Sequence, residues 1–211
     1  MKKKILFINF GGLGDEILFL PTIISTKKEF PDSEITLALE PRSKGILSLT
    51  DIIDETLFAD IKGRNKYIEL FNLLRRIWTK KFDIVISSGS NKFISIFLFM
   101  TFIKERIGYN SGRLSEKLLT HAVQLNKNQY AAKMYHDLVK PLTDNITELP
   151  EINIEPRKTE PDTVLIHPLS YTYVPCQEPY SHTASHKYSS TPQLLPDFLL
   201  VQCHIPRVCR N

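Results

Sequence analysis

Short apolar runs bounded by turn residues alternate along this chain with longer stretches that are apolar on one side only. Lys3 to Asn9, with Ile5-Leu6-Phe7-Ile8 at its centre, shows no polar alternation, which predicts a strand buried on both faces of a parallel sheet. After three glycines, Glu16 to Glu29 carries Ile17, Leu18, Leu20, Ile23 and Ile24 near helical spacing. It predicts a helix stopped by Phe30-Pro31-Asp32, with Pro21 tolerated one turn in. Ile35 to Leu39 and Phe82 to Ser87 predict further strands, and Tyr67 to Trp78 an amphipathic helix with Arg75, Arg76, Lys80 and Lys81 at its wet end. The alternation continues through Phe93 to Ile103, Glu105 to Tyr109 and Gln129 to Leu142. Residues 1–149 are therefore expected to form an α/β domain, a Rossmann-like open parallel sheet with helices on both faces.

The pattern then changes. Residues 150–162 are polar, with Pro150, Pro156 and Pro161 among charges, and suit an inter-domain linker. Residues 163–170 resemble the first strand of a second, incomplete domain. From Tyr171 to Asn211 the chain holds Cys176, Cys203 and Cys209, His182, His186 and His204, several prolines and no glycine, with no sustained period of two or 3.6. This stretch is expected to be an irregular or disordered tail, either a Ser/Thr/Pro-rich extension or the product of a shifted reading frame after about residue 170.

Composition narrows the class further. With 42% hydrophobic and 24% charged residues the 211-residue chain has a globular balance. Its net charge of +4 is mild and its cations are interleaved with acids, so nucleic acid is not an expected partner. The apolar run after Met1-Lys2-Lys3-Lys4 ends too early for a secretory signal, and Phe93 to Ile103 is about half the ~20 residues a spanning helix needs; a cytoplasmic location is expected. The cysteines have neither CxxC spacing nor companion ligands, so no disulfide framework or zinc site is expected. No cofactor is expected either.

Candidate chemistry lies in Asn9-Phe10-Gly11-Gly12-Leu13-Gly14-Asp15-Glu16, a strand-to-helix turn that presents backbone N–H groups at a helix N-terminus. The glycines allow close backbone approach. One reading is structural: a tight turn, with Asp15 capping the helix. Another is dinucleotide binding, with Gly12-Leu13-Gly14 opening GxGxxG and Glu40 as the ribose-binding acid. Ile17 occupies the third glycine position, however, and Asp15 and Glu16 would repel a pyrophosphate. The third reading is a carboxylate meeting a neutral hydroxyl, as a general base requires.

The segment Ile5 to Pro21, ILFINFGGLGDEILFLP, resembles the opening of glycosyltransferase family 9, the ADP-heptose:lipopolysaccharide heptosyltransferases. Phe30 to Thr36, Phe82 to Ile86, Arg106-Ile107-Gly108-Tyr109 and Val164-Leu165-Ile166-His167-Pro168 match later family segments in order, so the resemblance covers about residues 3 to 170. It implies the N-terminal half of a GT-B fold and an inverting, metal-independent transfer of a heptose-type sugar from an ADP-heptose-like nucleotide-sugar donor to a lipid-linked, lipopolysaccharide-like saccharide acceptor. Asp15 matches the family's general base. Asn9, Gly11, Gly12 and Gly14 then become acceptor-side residues, and Ser170 begins a donor-contacting loop. Asn9 stands where the family usually has Arg or Lys, and the later donor-domain motifs are absent, so the 211 residues by themselves are expected to be inactive.

Asn91 and Lys92 follow the Phe82 to Ser87 strand at the edge where such sheets bind ligands, and are candidates for acceptor contact, with helix capping by Asn91 as the alternative. His121 and His136 lack partners at ligand spacing and are assigned no role. The clusters Lys62/Arg64/Lys66 and Arg75/Arg76/Lys80/Lys81 read as a solvated face that could also touch the anionic inner-membrane surface peripherally. The competing class is a non-catalytic module that binds a saccharide or nucleotide.

Overall fold

The computed structural model describes residues 2–143 and 148–152, together with the backbone of two short strands, 193–195 and 198–200. The chain divides into two units, 1–155 and 156–211. The first is built in the order β1 (Lys4–Ile8), α1 (Leu13–Glu29), β2 (Glu34–Leu39), a 3₁₀ helix (Pro41–Ser48), β3 (Glu55–Phe58), α2 (Lys66–Lys80) and β4 (Ile84–Ser87). It continues with α3 (Lys92–Met100), β5 (Glu105–Tyr109), α4 (Arg113–Leu118), β6 (His121–Val123), α5 (Ala131–His136) and a 3₁₀ turn (Asp137–Val139). In the second unit β7 (Gln193–Leu195) pairs antiparallel with β8 (Phe198–Leu200). Most of the expected linker, the expected 163–170 strand and Ser170 lie outside the described residues.

The first six strands form one sheet in the order β3-β2-β1-β4-β5-β6, and every pairing in it is parallel. Parallel neighbours need crossover connections, and the helices that supply them cover both faces. The strand period of two explains why near-continuous apolar runs are required. Leu6, Ile8, Ala38 and Val85 pack with Leu70, Leu73, Leu74 and Ile77 of α2 and Phe97 and Leu98 of α3 in one core. Ile5, Phe7, Ile35, Leu37, Ile84 and Ile86 point the other way, into a core with Phe19, Leu20 and Ile23 of α1 and Leu138. Ile152 packs against this second core, so the unit continues past Pro150.

The predicted elements fall where the periodicity put them, with five differences, one of them the short helix α4, which the sequence reading did not expect. Helix α1 starts at Leu13 rather than Glu16, so Pro21 lies in mid-helix and removes the hydrogen bond to the carbonyl of Ile17. That costs about 3 kcal/mol in an isolated helix; here Pro21 is buried among the apolar residues of α1, and packing carries the helix past it. Gln129 to Leu142 is not one element but α5 followed by a 3₁₀ turn. Strands β3 and β6 were not predicted: each is short and lies at a sheet edge, where half-exposed residues blur the apolar signal. The Pro41–Ser48 helix was also missed, being polar and only one residue past a strand.

Phe7 is fully buried in β1, and its ring meets Phe19 edge-on with centroids 5.8 Å apart; Phe19 in turn meets Tyr135 at 5.7 Å. Phe7→Ala should lower unfolding stability by about 3–5 kcal/mol, because the cavity forms between rigid layers. Urea titration followed by circular dichroism measures this, and a loss under about 1 kcal/mol would show that the core is not close-packed around β1.

Candidate active site

The strand order reverses on either side of β1: its chain neighbour β2 lies on one side and β4 on the other. The loops leaving β1 and β4 therefore diverge and leave a crevice at the carboxyl edge, the usual ligand position in open α/β sheets. The glycine loop occupies the β1 side of it. Asn9 extends the strand by donating its backbone N–H to Ala38 O at 3.0 Å, and its side-chain Oδ1 accepts the Gly11 N–H at 3.0 Å. Ser43, from the 3₁₀ helix, donates its hydroxyl to Gly11 O at 3.1 Å. Gly12 then caps α1, and Asp15 reaches back so that Oδ2 accepts the Gly12 N–H at 2.9 Å. A Cβ on Gly11 would lie 2.4 Å from the Asp15 Cβ, so only glycine fits there. Gly14 is exposed and faces open space, leaving bare backbone at the helix start.

Asp15 thus caps the helix, as the structural reading expects, with only one of its two oxygens. The carboxylate is half-buried, with no ion pair among the described residues. Its Oδ1 faces the hydroxyl of Tyr135, a long donor contact of 3.4 Å. Burial, followed by the charge of Asp15, pushes the Tyr135 phenol up to about 12, so at neutral pH it keeps its proton and donates toward the carboxylate. The pair can orient an incoming hydroxyl and accept its proton.

Beneath the loop lies a polar layer. Glu16 is 1% exposed, Asn9 3% and Glu40 2%. Among the described residues neither Glu16 carboxyl oxygen has a hydrogen-bond partner, nor does Asn9 Nδ2. Glu40 is held by Arg42, Nε to Oε2 at 2.6 Å, and lies 4.0 Å from Lys62 Nζ. A buried, paired Glu40 is not free to grip a ribose. Burial foremost, then the charge of Asp15, drives the Glu16 carboxyl up to about 9; the polar Asn9 side chain opposes the shift, and Glu40 adds to it. Glu16 is consequently neutral beside Asp15 at neutral pH.

The loop after β4 borders the crevice from the other side. Asn91 caps α3, its Oδ1 accepting the Ile94 N–H at 2.9 Å, and Lys92 is exposed in the first turn. Asn9, Gly11, Gly12, Gly14 and Asp15 are thus brought together in one loop, with Asn9 underneath it rather than at its mouth; Asn91 and Lys92 belong to the neighbouring loop. Among the described residues no three His, Cys, Asp or Glu side chains gather as metal ligands. His136 is buried against Ser25, Nε2 to Oγ at 2.7 Å, and burial lowers its pKa. Tyr135 and Ser43 escaped the sequence reasoning, and Glu16, expected there to repel a pyrophosphate alongside Asp15, is instead buried and uncharged. Tyr135 is 120 positions from Asp15, and only the fold brings them together.

A six-stranded parallel sheet in this order, with a carboxylate on its first loop, defines a Rossmann-like domain of the kind that forms one half of GT-B glycosyltransferases. Within that class, the chain is similar to glycosyltransferase family 9. The solved glycosyl transferase of family 9 from Veillonella parvula DSM 2008 is 28% identical and superposes with a TM-score of 0.64 over 74% of this chain and 45% of that one. E. coli ADP-heptose lps heptosyltransferase II shares the fold at 17% identity and TM-score 0.60, over 75% of this chain and 47% of that one. E. coli heptosyltransferase WaaC, solved with ADP-2-deoxy-2-fluoro heptose, shares it at 16% and 0.57, over 69% and 51%. The chain therefore spans about half the length of the structures it matches. No family model and no curated protein matches the sequence.

The buried Glu16 carboxyl makes stability depend on pH. Its folded value of about 9 lies above the ordinary 4.5, so between those values the folded state keeps a proton that the unfolded state has released. Stability is full below about pH 4.5 and falls as pH rises toward 9, by on the order of 3 kcal/mol at neutral pH. Glu16→Gln should remove this slope and raise the melting temperature at pH 8 by roughly 5 °C or more. Thermal melts from pH 5 to 9 test it, and a variant with the parent's slope would mean that Glu16 is ionised in the fold.

Proposed function

We propose that this domain is the acceptor-side half of a heptosyltransferase-type glycosyltransferase, with Asp15 as general base. The observation that carries the reading is the Asp15 carboxylate at the switch-point crevice, held through one oxygen by the Gly12 N–H while the other faces Tyr135. In a single displacement the acceptor hydroxyl oxygen would bond to the anomeric carbon as the bond to the nucleoside diphosphate breaks. The hydroxyl proton would pass to Asp15 and the configuration would invert. No metal or cofactor is called on. The heptosyltransferases among the similar structures, one of them bound to an ADP-heptose analogue, support an ADP-heptose-like donor and a lipopolysaccharide-like saccharide acceptor carried on lipid. Gly11, Gly12 and Gly14 would approach that acceptor with bare backbone, Lys92 and Asn91 would border it, and Asn9 would shape the loop from below. We assign the reaction to the cytoplasmic side of the inner membrane, with peripheral contact only. No helix among the described residues is long and apolar enough to cross a membrane.

In a two-domain protein the donor would be bound by the second domain, with Ser170 in its first loop. Positioning supplies roughly 7–11 kcal/mol of barrier reduction, which an acceptor domain cannot use on a donor it does not hold. The 211 residues by themselves are therefore expected to bind a lipopolysaccharide core saccharide without turnover. Joined to a family 9 donor-binding domain, residues 1–162 should transfer sugar. Asp15→Asn in that fusion should lower kcat by about 10²–10⁴-fold with little change in acceptor KM. Full activity of the fusion carrying Asp15→Asn would remove Asp15 as base, and saccharide binding with no turnover in any fusion would favour a non-catalytic binding module.

A further inference from the structure

Helix α3 carries a second apolar stripe opposite its buried face, and α2 carries exposed apolar residues that flank its own. On α2, Leu70, Leu73, Leu74 and Ile77 enter the core, yet Tyr67, Ile68, Phe71 and Trp78 are exposed. On α3, Ile94, Phe97 and Leu98 are buried while Phe93, Ile96, Phe99 and Met100 stand in solvent. Helix α3, whose only charge is Lys92, is apolar on nearly every side, which marks a helix that something else covers, whereas amphipathic α2 adds exposed apolar residues beside its cations. The two exposed sets meet at their C-terminal ends: Trp78 Nε1 donates to Met100 O at 2.9 Å, and the Trp78 ring lies 6.2 Å from that of Phe102.

Phe102 is the most telling residue. It is 75% exposed and sits at φ +57, a left-handed conformation that favours glycine and disfavours a bulky aromatic. The fold gains little from a phenylalanine at that point, so its value lies in what it meets outside.

The surroundings identify the partner. Between residues 62 and 104 the only acids are Glu69 and Asp83. Arg75 and Arg76, with Asn72 and Thr79, line a shallow recess of about 370 Å³ on α2. A second recess of about 470 Å³ is lined by Trp78, Lys81, Phe82, Phe102, Ile103 and Lys104, with Asp83, which accepts the Lys4 N–H through Oδ2, as its one acid. Protein interfaces deplete lysine, whereas aromatic anchors ringed by Lys and Arg suit the boundary between acyl chains and anionic headgroups.

We propose that the outer face of α2, α3 and Phe102 is a membrane-docking surface for an anionic lipid bilayer, with the exposed aromatic residues entering the headgroup boundary and the flanking cations pairing with phosphate. It deepens the lipid-linked acceptor reading by naming the face involved, but vesicle binding tests it without any sugar transfer, so the two can fail separately.

Trp78 is the only tryptophan in the chain, so its emission reports directly on this face. The 211-residue protein is mixed with phosphatidylcholine vesicles, and with equimolar phosphatidylcholine and phosphatidylglycerol vesicles, and both flotation and Trp78 emission are read. Flotation and a blue shift with the anionic vesicles only, both diminished by added salt, are expected. Phe102→Gly relieves the left-handed strain, so it should fold at least as well as the parent while binding on the order of tenfold more weakly. Arg75→Glu with Arg76→Glu should weaken binding roughly fivefold or more per charge, whereas Lys28→Glu, on α1, should leave it unchanged. The proposal is overturned if the folded parent does not float with anionic vesicles, if it floats equally with neutral ones, or if Phe102→Gly binds undiminished. It is also overturned if Trp78 is already shielded in a lipid-free dimer, which would make a second copy the occupant.

Discussion

Burial of β1 on both faces displaces the polar groups next to it to the end of the strand. Ile5 to Ile8 are 0–1% exposed, with Leu6 and Ile8 in one core and Ile5 and Phe7 in the other. A strand so placed can carry no functional side chain along its length, because a polar group there would face hydrocarbon whichever way it turned. The first position at which the chain can turn polar is Asn9, and the loop begins there. The location of the carboxylate thus follows from the same hydrophobic demand that fixes the sheet.

The loop is held from below rather than by ligand-facing groups. Asn9 commits its oxygen to Gly11, Ser43 fixes the Gly11 carbonyl, and Glu16 fills the space underneath as a neutral acid with no hydrogen-bond partner among the described residues. An apolar residue in place of Glu16 would serve the core better, so a glutamate at this position costs stability. Two adjacent carboxyls divide into one neutral and one available group because one points inward and the other lies at the helix start.

How much of this was legible depended on the distance over which the signal acts. The sheet class, the α1 stop at Phe30-Pro31-Asp32 and the glycine loop come from local chemistry, periodicity and turn residues, and they could be read directly. The edge strands β3 and β6 could not, since their short runs are only partly buried. The partners of Asp15 were also hidden: Tyr135 reaches it from α5 because Phe19 and Tyr135 stack across the core, a contact no window along the chain contains. Asn91 read equally as ligand contact or cap, and its oxygen is taken by the Ile94 N–H. The exposed aromatic residues of α2 and α3 were visible as apolar positions but were indistinguishable from core until the buried side was known.

The reversal of strand order at β1 has an evolutionary side. The two walls of the crevice belong to different βα units, one carrying the carboxylate and its cramped glycine, the other running from Ser88 to Lys92 with most of its residues only partly buried or exposed. Gly11 is packed against Asp15 and, on the opposite wall, Gly89 against Ile94, whereas Ser90, Asn91 and Lys92 are exposed and can change without disturbing the carboxylate. Descendants of such a scaffold can diversify in what they recognise while the carboxylate stays where it is.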